Sequence, residues 1–430
     1  MARRWSTSSS KLKVPEPAAA ARRRVFVTGL GLVSPHGGDP DQVFERLYSG
    51  ESAIRKARCG TVEFGAGVLL AQAELDPIGV IPKGQLFVMD RVAQMAVVAA
   101  HRALVSAKLL REDRGPATGG VYMGCGLGGS NAIQDSYQAY YQRGQRKVKP
   151  TTVPLIMTNA AASHISIRFG IRGPTLTYSI ACSSSGVAIG EAFRAIRDGY
   201  LDCAVAGGTE SMLNDGTVAA WENLGVLAKE HPDGAAASSR PFSKDRSGFV
   251  LGEGAAVLTL ESEDALRSRG AQAIAEVVGY GVSSDAYNLT QPAVDGQVRA
   301  MRAALADARI QPEAIGYINA HATATPAGDK IEIDAIKETF GAHARRLAVS
   351  ATKSMHGHLV GAAGALEFAI TVLALNKRRL PPTAYLTVPD PDCDLDCVPC
   401  KGREAPSLEY ALSNSFAFGG SNAVLVARRA

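Results

Sequence analysis

The chain has 430 residues, 46% of them apolar and 20% charged, a soluble, enzyme-like composition able to bury a substantial core. Its formal net charge of +5 comes without a long basic arm or an aromatic-interleaved basic stripe, which argues against nucleic-acid binding and leaves room for an acidic protein partner. Seven cysteines, an odd number scattered through a long chain, fit a reducing compartment better than a disulfide framework, and no stretch reaches the roughly 18 apolar residues of a membrane span.

Residues 1–23 stand apart from the rest. Arg3, Arg4, Lys11, Lys13, Arg22 and Arg23 face only Glu16, and a proline–alanine run over 15–21 reads as linker. Such a start is either an organelle transit segment, mitochondrial or plastid, or a disordered extension of a cytoplasmic bacterial protein. Ordered structure is expected from Arg24, where Val25-Phe26-Val27-Thr28-Gly29 reads as a strand closed by a glycine turn. A helical pattern over 91–110, strands at 120–123, 201–206 and 250–260, and a glycine break at Gly207-Gly208 follow. The alternation restarts near 270, with a strand at 274–280, a helix over 298–308, a strand at 316–320 and a closing pair at 412–416 and 423–426. Strands alternating with helices predict an α/β protein of two comparable halves, 24–270 and 271–430.

Four segments carry chemistry. In Thr175-Leu176-Thr177-Tyr178-Ser179-Ile180-Ala181-Cys182, alternation predicts a strand, and Ile189, Phe193 and Ile196 predict a helix beyond it. Cys182 therefore falls at a strand-to-helix corner, where the helix dipole favours a thiolate; it is either a nucleophile or a buried structural thiol. His321 follows the apolar run Tyr317-Ile318-Asn319-Ala320 and precedes Thr323, Thr325 and Pro326, the position of a cleft residue or of a locally satisfied histidine. Lys353, His356 and His358 precede the small-residue run Gly361-Ala362-Ala363-Gly364-Ala365-Leu366-Glu367, and no nearby ligand completes a metal set for the two histidines. Finally, Phe416-Ala417-Phe418-Gly419-Gly420-Ser421 predicts a tight, mobile turn beside an apolar pocket. Cys393, Cys397 and Cys400 form an incomplete tetrahedral set in a Pro/Asp-rich segment and read as ordinary thiols, so no metal is expected.

Together these segments resemble the elongating β-ketoacyl-[acyl-carrier-protein] synthases, over most of the chain from Arg24 onward. The opening Val27-Thr28-Gly29-Leu30-Gly31-Leu32-Val33-Ser34-Pro35, Gly207-Gly208-Thr209-Glu210-Ser211, Arg240-Pro241-Phe242 and Gly248-Phe249-Val250-Leu251-Gly252-Glu253-Gly254 carry the same resemblance. It implies a thiolase-like α/β fold, two similar halves stacked in five αβαβα layers, usually as a homodimer, with a heterodimer as the alternative. It implies that Cys182 takes an acyl group, that His321 and His358 act on a malonyl thioester, and that backbone N–H groups of Cys182 and Phe418 form an oxyanion hole. Lys353 matches the family's active-site lysine, Glu332 the acid that pairs with it, Thr323 and Thr325 the pantetheine-binding threonines. Phe418 matches a gating aromatic, with Phe416 in the same loop. Arg146 and Lys147 resemble the basic residues that meet an acidic acyl carrier protein, and no cofactor is implied. Ala322, Ala324, Ala417, Ser421, Ser243, Ser247 and His356 depart from the usual pattern and point to a specialised branch: a polyene, polyketide or nodulation-factor pathway beside ordinary fatty-acid elongation. A degradative thiolase would need a second cysteine near the glycine loop, which holds none. A non-catalytic partner subunit would typically lack the nucleophile.

Overall fold

The computed structural model describes residues 22–58, 67–144 and 147–430. Its principal sheet has ten strands in two sets of five. The first set is β1 (Val25–Val33), β2 (Gly120–Gly124), β3 (Thr175–Tyr178), β4 (Cys203–Glu210) and β5 (Gly254–Ser262). The second is β6 (Ala275–Ser284), β7 (Ile315–Asn319), β8 (Ala348–Ser350), β9 (Tyr410–Ala417) and β10 (Ser421–Arg429). Across the sheet the order is β3-β2-β4-β5-β1, then β6-β10-β9-β7-β8. Counted from its outer edge, each set shows its third, second, fourth, fifth and first strand. Pairing repeats as well: two parallel contacts, then two antiparallel ones, in both sets. The duplication that is faint in the residues is plain in the topology. Only a short antiparallel pairing of Val25–Val27 with Ala275–Val277 joins the two sets.

Helices cover both faces, and the three largest hydrophobic clusters fill the space between the layers. Helix α1 (Arg91–Ser106) packs on the outer face of the first set through residues such as Ala96, Ala99 and Ala103. Between the sets lie α2 (Ser184–Arg197) and α5 (Ala363–Lys377), whose apolar positions share the central core. The outer face of the second set carries α3 (Val294–Ala308) and α4 (Pro326–Phe340). This is the five-layered αβαβα arrangement of two similar halves. The 18 residues Val360–Lys377 are long and apolar enough for a membrane span, contrary to the reading of the sequence. They are 89% buried in protein, because the middle layer of a three-core stack meets apolar neighbours all round.

Two glycines were misread as a strand end. Strand β4 runs through Gly207 and Gly208, where an added Cβ would meet the Ala256 carbonyl at 2.1 Å and Ser185 Cβ at 2.4 Å. They serve close packing of sheet on helix, not chain reversal. The basic start is also partly anchored: Arg22, Arg23 and Arg24 form ion pairs with Asp307, Asp202 and Glu276.

Candidate active site

Cys182 lies between β3 and α2, two residues before the helix begins. The corner is tight: Ala181 adopts φ +42°, a left-handed conformation that costs an L-residue about 1–2 kcal/mol. Ser184 Oγ stabilises it by accepting the Ile180 N–H at 2.8 Å and donating to the Ala181 carbonyl at 2.6 Å. The predicted helix face is buried at Ile189, Phe193 and Ile196 and anchors the corner in the central core.

Both predicted histidines meet this cysteine. His321 leaves the end of β7, and His358 follows Gly357, whose φ of +68° turns the chain after a single helical turn over Lys353–His356. His358 Nε2 lies 3.0 Å from Cys182 Sγ, and the two imidazoles meet edge to face at 5.5 Å between centroids. The Val360 N–H donates to His358 Nδ1 at 3.3 Å, so the neutral ring carries its proton on Nε2 and points it at the thiol. His321 is arranged alike. The Lys353 ammonium, a donor only, lies 3.5 Å from His321 Nδ1 and donates to the His321 carbonyl at 2.6 Å. Two imidazole N–H groups thus converge on one space. Burial, reinforced by the Lys353 charge, holds both rings well below the ordinary histidine range and keeps them neutral.

The expected thiolate is not the resting state. Burial pushes the Cys182 thiol up to about 12, against the opposing pull of the Lys353 charge and of the Phe418 N–H; Glu367 and Glu210 push it further up. Desolvation of the charged form outweighs the helix terminus, because Cys182 is only 6% exposed.

Lys353 is buried, and its acid is Glu367 rather than Glu332. Glu332 faces the other way, accepting the N–H groups of His321 at 2.9 Å and Ala322 at 2.7 Å and the Asn414 amide at 2.8 Å. It fixes the backbone at His321, which explains its place near the site, and the Lys353 charge opposes the rise that burial gives its carboxyl. Glu367 was visible as the only charge in the buried run Ala363–Leu375 of α5, and a lone acid in such a run implies a buried partner.

The remaining residues surround a cavity of about 320 Å³ lined by Cys182, Trp221, Phe249, Thr323, Thr325 and Phe418 among others. Thr323 and Thr325 hydroxyls lie 3.2 Å apart, and Thr325 also caps α4 by accepting the Gly328 N–H. Phe418 stacks on Trp221 at 6.0 Å, Trp221 meets Phe249 edge-on at 5.6 Å, and Phe249 meets His358 at 5.1 Å. Trp221 was not singled out and Phe249 stood only within a motif that carries the resemblance, since isolated aromatics give no periodic signal. Phe416 packs against His321 at 6.1 Å. The hairpin between β9 and β10 turns through Gly419 and Gly420, at φ +86° and +70°.

The other candidates lie elsewhere. Lys147 is exposed, and Arg146 falls outside the described residues. The His356 ring is bonded to the Gly357 carbonyl and the Thr352 hydroxyl and does not line the cavity. Cys397 and Cys400 direct their sulfurs to the Cys393 and Leu386 carbonyls. Donor atoms of Cys182, His321 and His358 lie within 4.8 Å of one another, close enough for an ion to bridge. Both Nε2 atoms carry protons, however, and the Lys353 ammonium behind His321 repels a cation. The set suits a developing anion.

A family model for the N-terminal domain of β-ketoacyl synthases matches residues 22–265, and one for the C-terminal domain matches 274–387. The chain belongs to the β-ketoacyl synthase family. Nodulation protein E of Rhizobium sp. (strain N33) is 42% identical over 407 residues, covering 95% of this chain and 99% of the relative. The 3-oxoacyl-[acyl-carrier-protein] synthase 2 of Staphylococcus aureus (strain N315) is 38% identical over 410 residues, with 95% and 98% covered. Among solved structures, the ishigamide ketosynthase/chain length factor superposes with a TM-score of 0.87 at 34% identity, covering 95% of this chain and 100% of that one. A β-ketoacyl synthase from Burkholderia phymatum STM815 gives 0.86 at 33% identity, with the same coverage.

Proposed function

We propose that the protein catalyses decarboxylative Claisen condensation of an acyl thioester with malonyl-acyl carrier protein. The single observation that carries this reading is the convergence of the His321 and His358 imidazoles on the Cys182 sulfur in a cavity lined by aromatic side chains. Cys182 sulfur attacks the acyl thioester carbonyl, and the carrier's thiol leaves with the cysteine proton. Malonyl-acyl carrier protein then enters. Its carboxylate departs as CO₂, and the electron pair passes through carbon to the thioester oxygen as an enolate. The Nε2–H groups of His321 and His358 donate to that oxygen, which is where charge develops. The enolate carbon attacks the acyl carbonyl on Cys182, whose oxygen is held by the N–H groups of Cys182 and Phe418. Cys182 leaves as thiolate and recovers a proton, releasing 3-oxoacyl-acyl carrier protein.

Lys353 acts by holding His321, and Glu367 by neutralising Lys353. Thr323 and Thr325 line the cavity with hydroxyls suited to the pantetheine amides, Phe418 gates it with Phe416 in the same loop, and Arg146 with Lys147 dock the acidic carrier. We place the half boundary in residues 269–274, between the repeated strand sets, and the enzyme in the cytoplasm. A homodimer fits the free edge of β3, and the ketosynthase/chain length factor structure supports the heteromeric alternative. A specialised acyl pathway is favoured slightly over housekeeping elongation, since the match to nodulation protein E, at 42%, exceeds that to synthase 2, at 38%.

Intact-mass analysis with a panel of acyl-carrier thioesters, followed by malonyl-carrier protein, tests the reading. Acyl adducts on Cys182 that vanish as 3-oxoacyl product forms are expected. A folded protein that takes no acyl group from any donor would overturn it.

A further inference from the structure

Glu210 has no part in the chemistry above, yet it is fully buried at the end of β4, close to the nucleophile. Its carboxylate meets no cation among the described residues. Oε2 accepts the Gly126 N–H at 2.7 Å and the Gly361 N–H at 3.1 Å, and Oε1 accepts the Leu127 N–H at 3.3 Å. The chain is built around it: a Cβ on Gly126 or on Gly361 would stand 2.5 Å from Oε2. Its charge works against the thiolate, because Glu210 is among the groups that push the Cys182 thiol up. A buried anion harmful to the nucleophile implies another use.

That use lies one residue before Gly361. Val360 adopts φ +45°, a left-handed conformation that is a true outlier for a β-branched residue, and this turns its N–H onto His358 Nδ1. We propose that Glu210 is a positioning residue: by gripping the Gly361 N–H it holds the Val360 turn, which fixes the His358 tautomer with Nε2–H directed at Cys182. The inference rests on the reading of His358 as a proton-bearing donor and adds the group that keeps it so. Gln at this position would present an amide NH₂ to one of three converging N–H donors, loosening the turn at nearly constant volume.

The test is a pair of rates and a spectrum on the full-length Glu210→Gln enzyme. Decarboxylation of malonyl-carrier protein, which needs His358, should fall about tenfold, the effect of a loosened donor. Alkylation of Cys182 by iodoacetamide at fixed pH should rise, because the neighbouring negative charge is gone. General damage to the fold would slow both. In ¹⁵N-histidine NMR, assigned by difference against His358→Ala, the wild type should show Nε2–H at His358 and the variant a tautomer mixture. Gly361→Ala, which leaves Glu210 in place and crowds its carboxylate, should shift the same signal. Should both variants fail to fold, Glu210→Asp decides: it keeps the charge but shortens the reach to the Gly361 N–H, and should shift the same signal. A variant that keeps the Nε2–H signal and decarboxylates at the wild-type rate overturns the proposal. Wild-type enzyme unable to decarboxylate would instead refute the function itself.

Discussion

Replacing Lys353 with methionine isolates what the buried ion pair does. Lys353 and Glu367 are 1% and 0% exposed, and Glu367 Oε2 has no hydrogen-bond partner among the described residues. Remove the ammonium and neither carboxylate oxygen keeps a partner. Breaking a buried pair from one side costs about 3–5 kcal/mol. The carboxyl has an escape, however, which is to bind a proton. Burial already raises Glu367 to about 7 with the lysine present, and without it the pKa goes higher still. The sign follows from linkage. Between the unfolded carboxylate range and the folded value the native state binds the extra proton, so stability falls as pH rises through that window. In Lys353→Met the window extends upward, so the penalty should be largest near pH 9. It should shrink toward pH 7 by at most about 1.4 kcal/mol per pH unit. Urea denaturation at fixed protein concentration, at pH 7 and pH 9, measures this directly. The double variant Lys353→Met/Glu367→Leu should recover most of the loss, since two apolar side chains leave no orphan charge, while kcat stays down by about 10²-fold because His321 remains unheld. A penalty independent of pH, or a double variant no more stable than the single one, would refute the reasoning.

Three further outcomes are expected. Iodoacetamide should alkylate Cys182 about tenfold faster for each pH unit between 7 and 9, with no plateau, as a thiol raised to about 12 requires; a plateau near neutrality would show a resting thiolate. Cys182→Ala should lose every acyl adduct by mass, yet still release CO₂ from malonyl-carrier protein, because both imidazole donors remain; loss of both reactions would merge roles that are separate here. Charge reversal at Arg146 and Lys147 should raise KM for carrier-bound substrate while sparing a small thioester mimic, and equal loss on both would remove the docking assignment.

How far the sequence could be read depended on the kind of signal. The α/β alternation, the Cys182 corner and the α2 face at Ile189, Phe193 and Ile196 were legible because local periodicity records burial directly. Convergence of His321 and His358 on Cys182 came only through family resemblance, since 176 residues separate the bonded pair. The partner of Lys353 was misassigned to Glu332. Both glutamates are buried, and only the three-dimensional path shows Glu332 turned to the His321 backbone and Glu367 facing the lysine. The thiol's resting protonation was misjudged for a related reason. A helix terminus is visible in sequence, whereas depth of burial is a property of the assembled layers. Val360 and Ala181 were invisible altogether, as left-handed alanine or valine has no residue signature.

The duplicated topology has a practical consequence for how this enzyme fails. The nucleophile hangs from the first half of the body, and the imidazoles, Lys353 and Glu367 hang from the second. The halves meet where Gly186 and Gly364 come close, a Cβ at Gly364 standing 3.0 Å from the Gly186 nitrogen. The 3.0 Å separation of sulfur and imidazole is therefore a gauge of how accurately one half is seated on the other. A slip of about one ångström along that seam leaves every strand paired and both halves folded, and costs on the order of 10² in rate. On heating, turnover should thus disappear some degrees before secondary structure does: the machine loses alignment before it loses its parts.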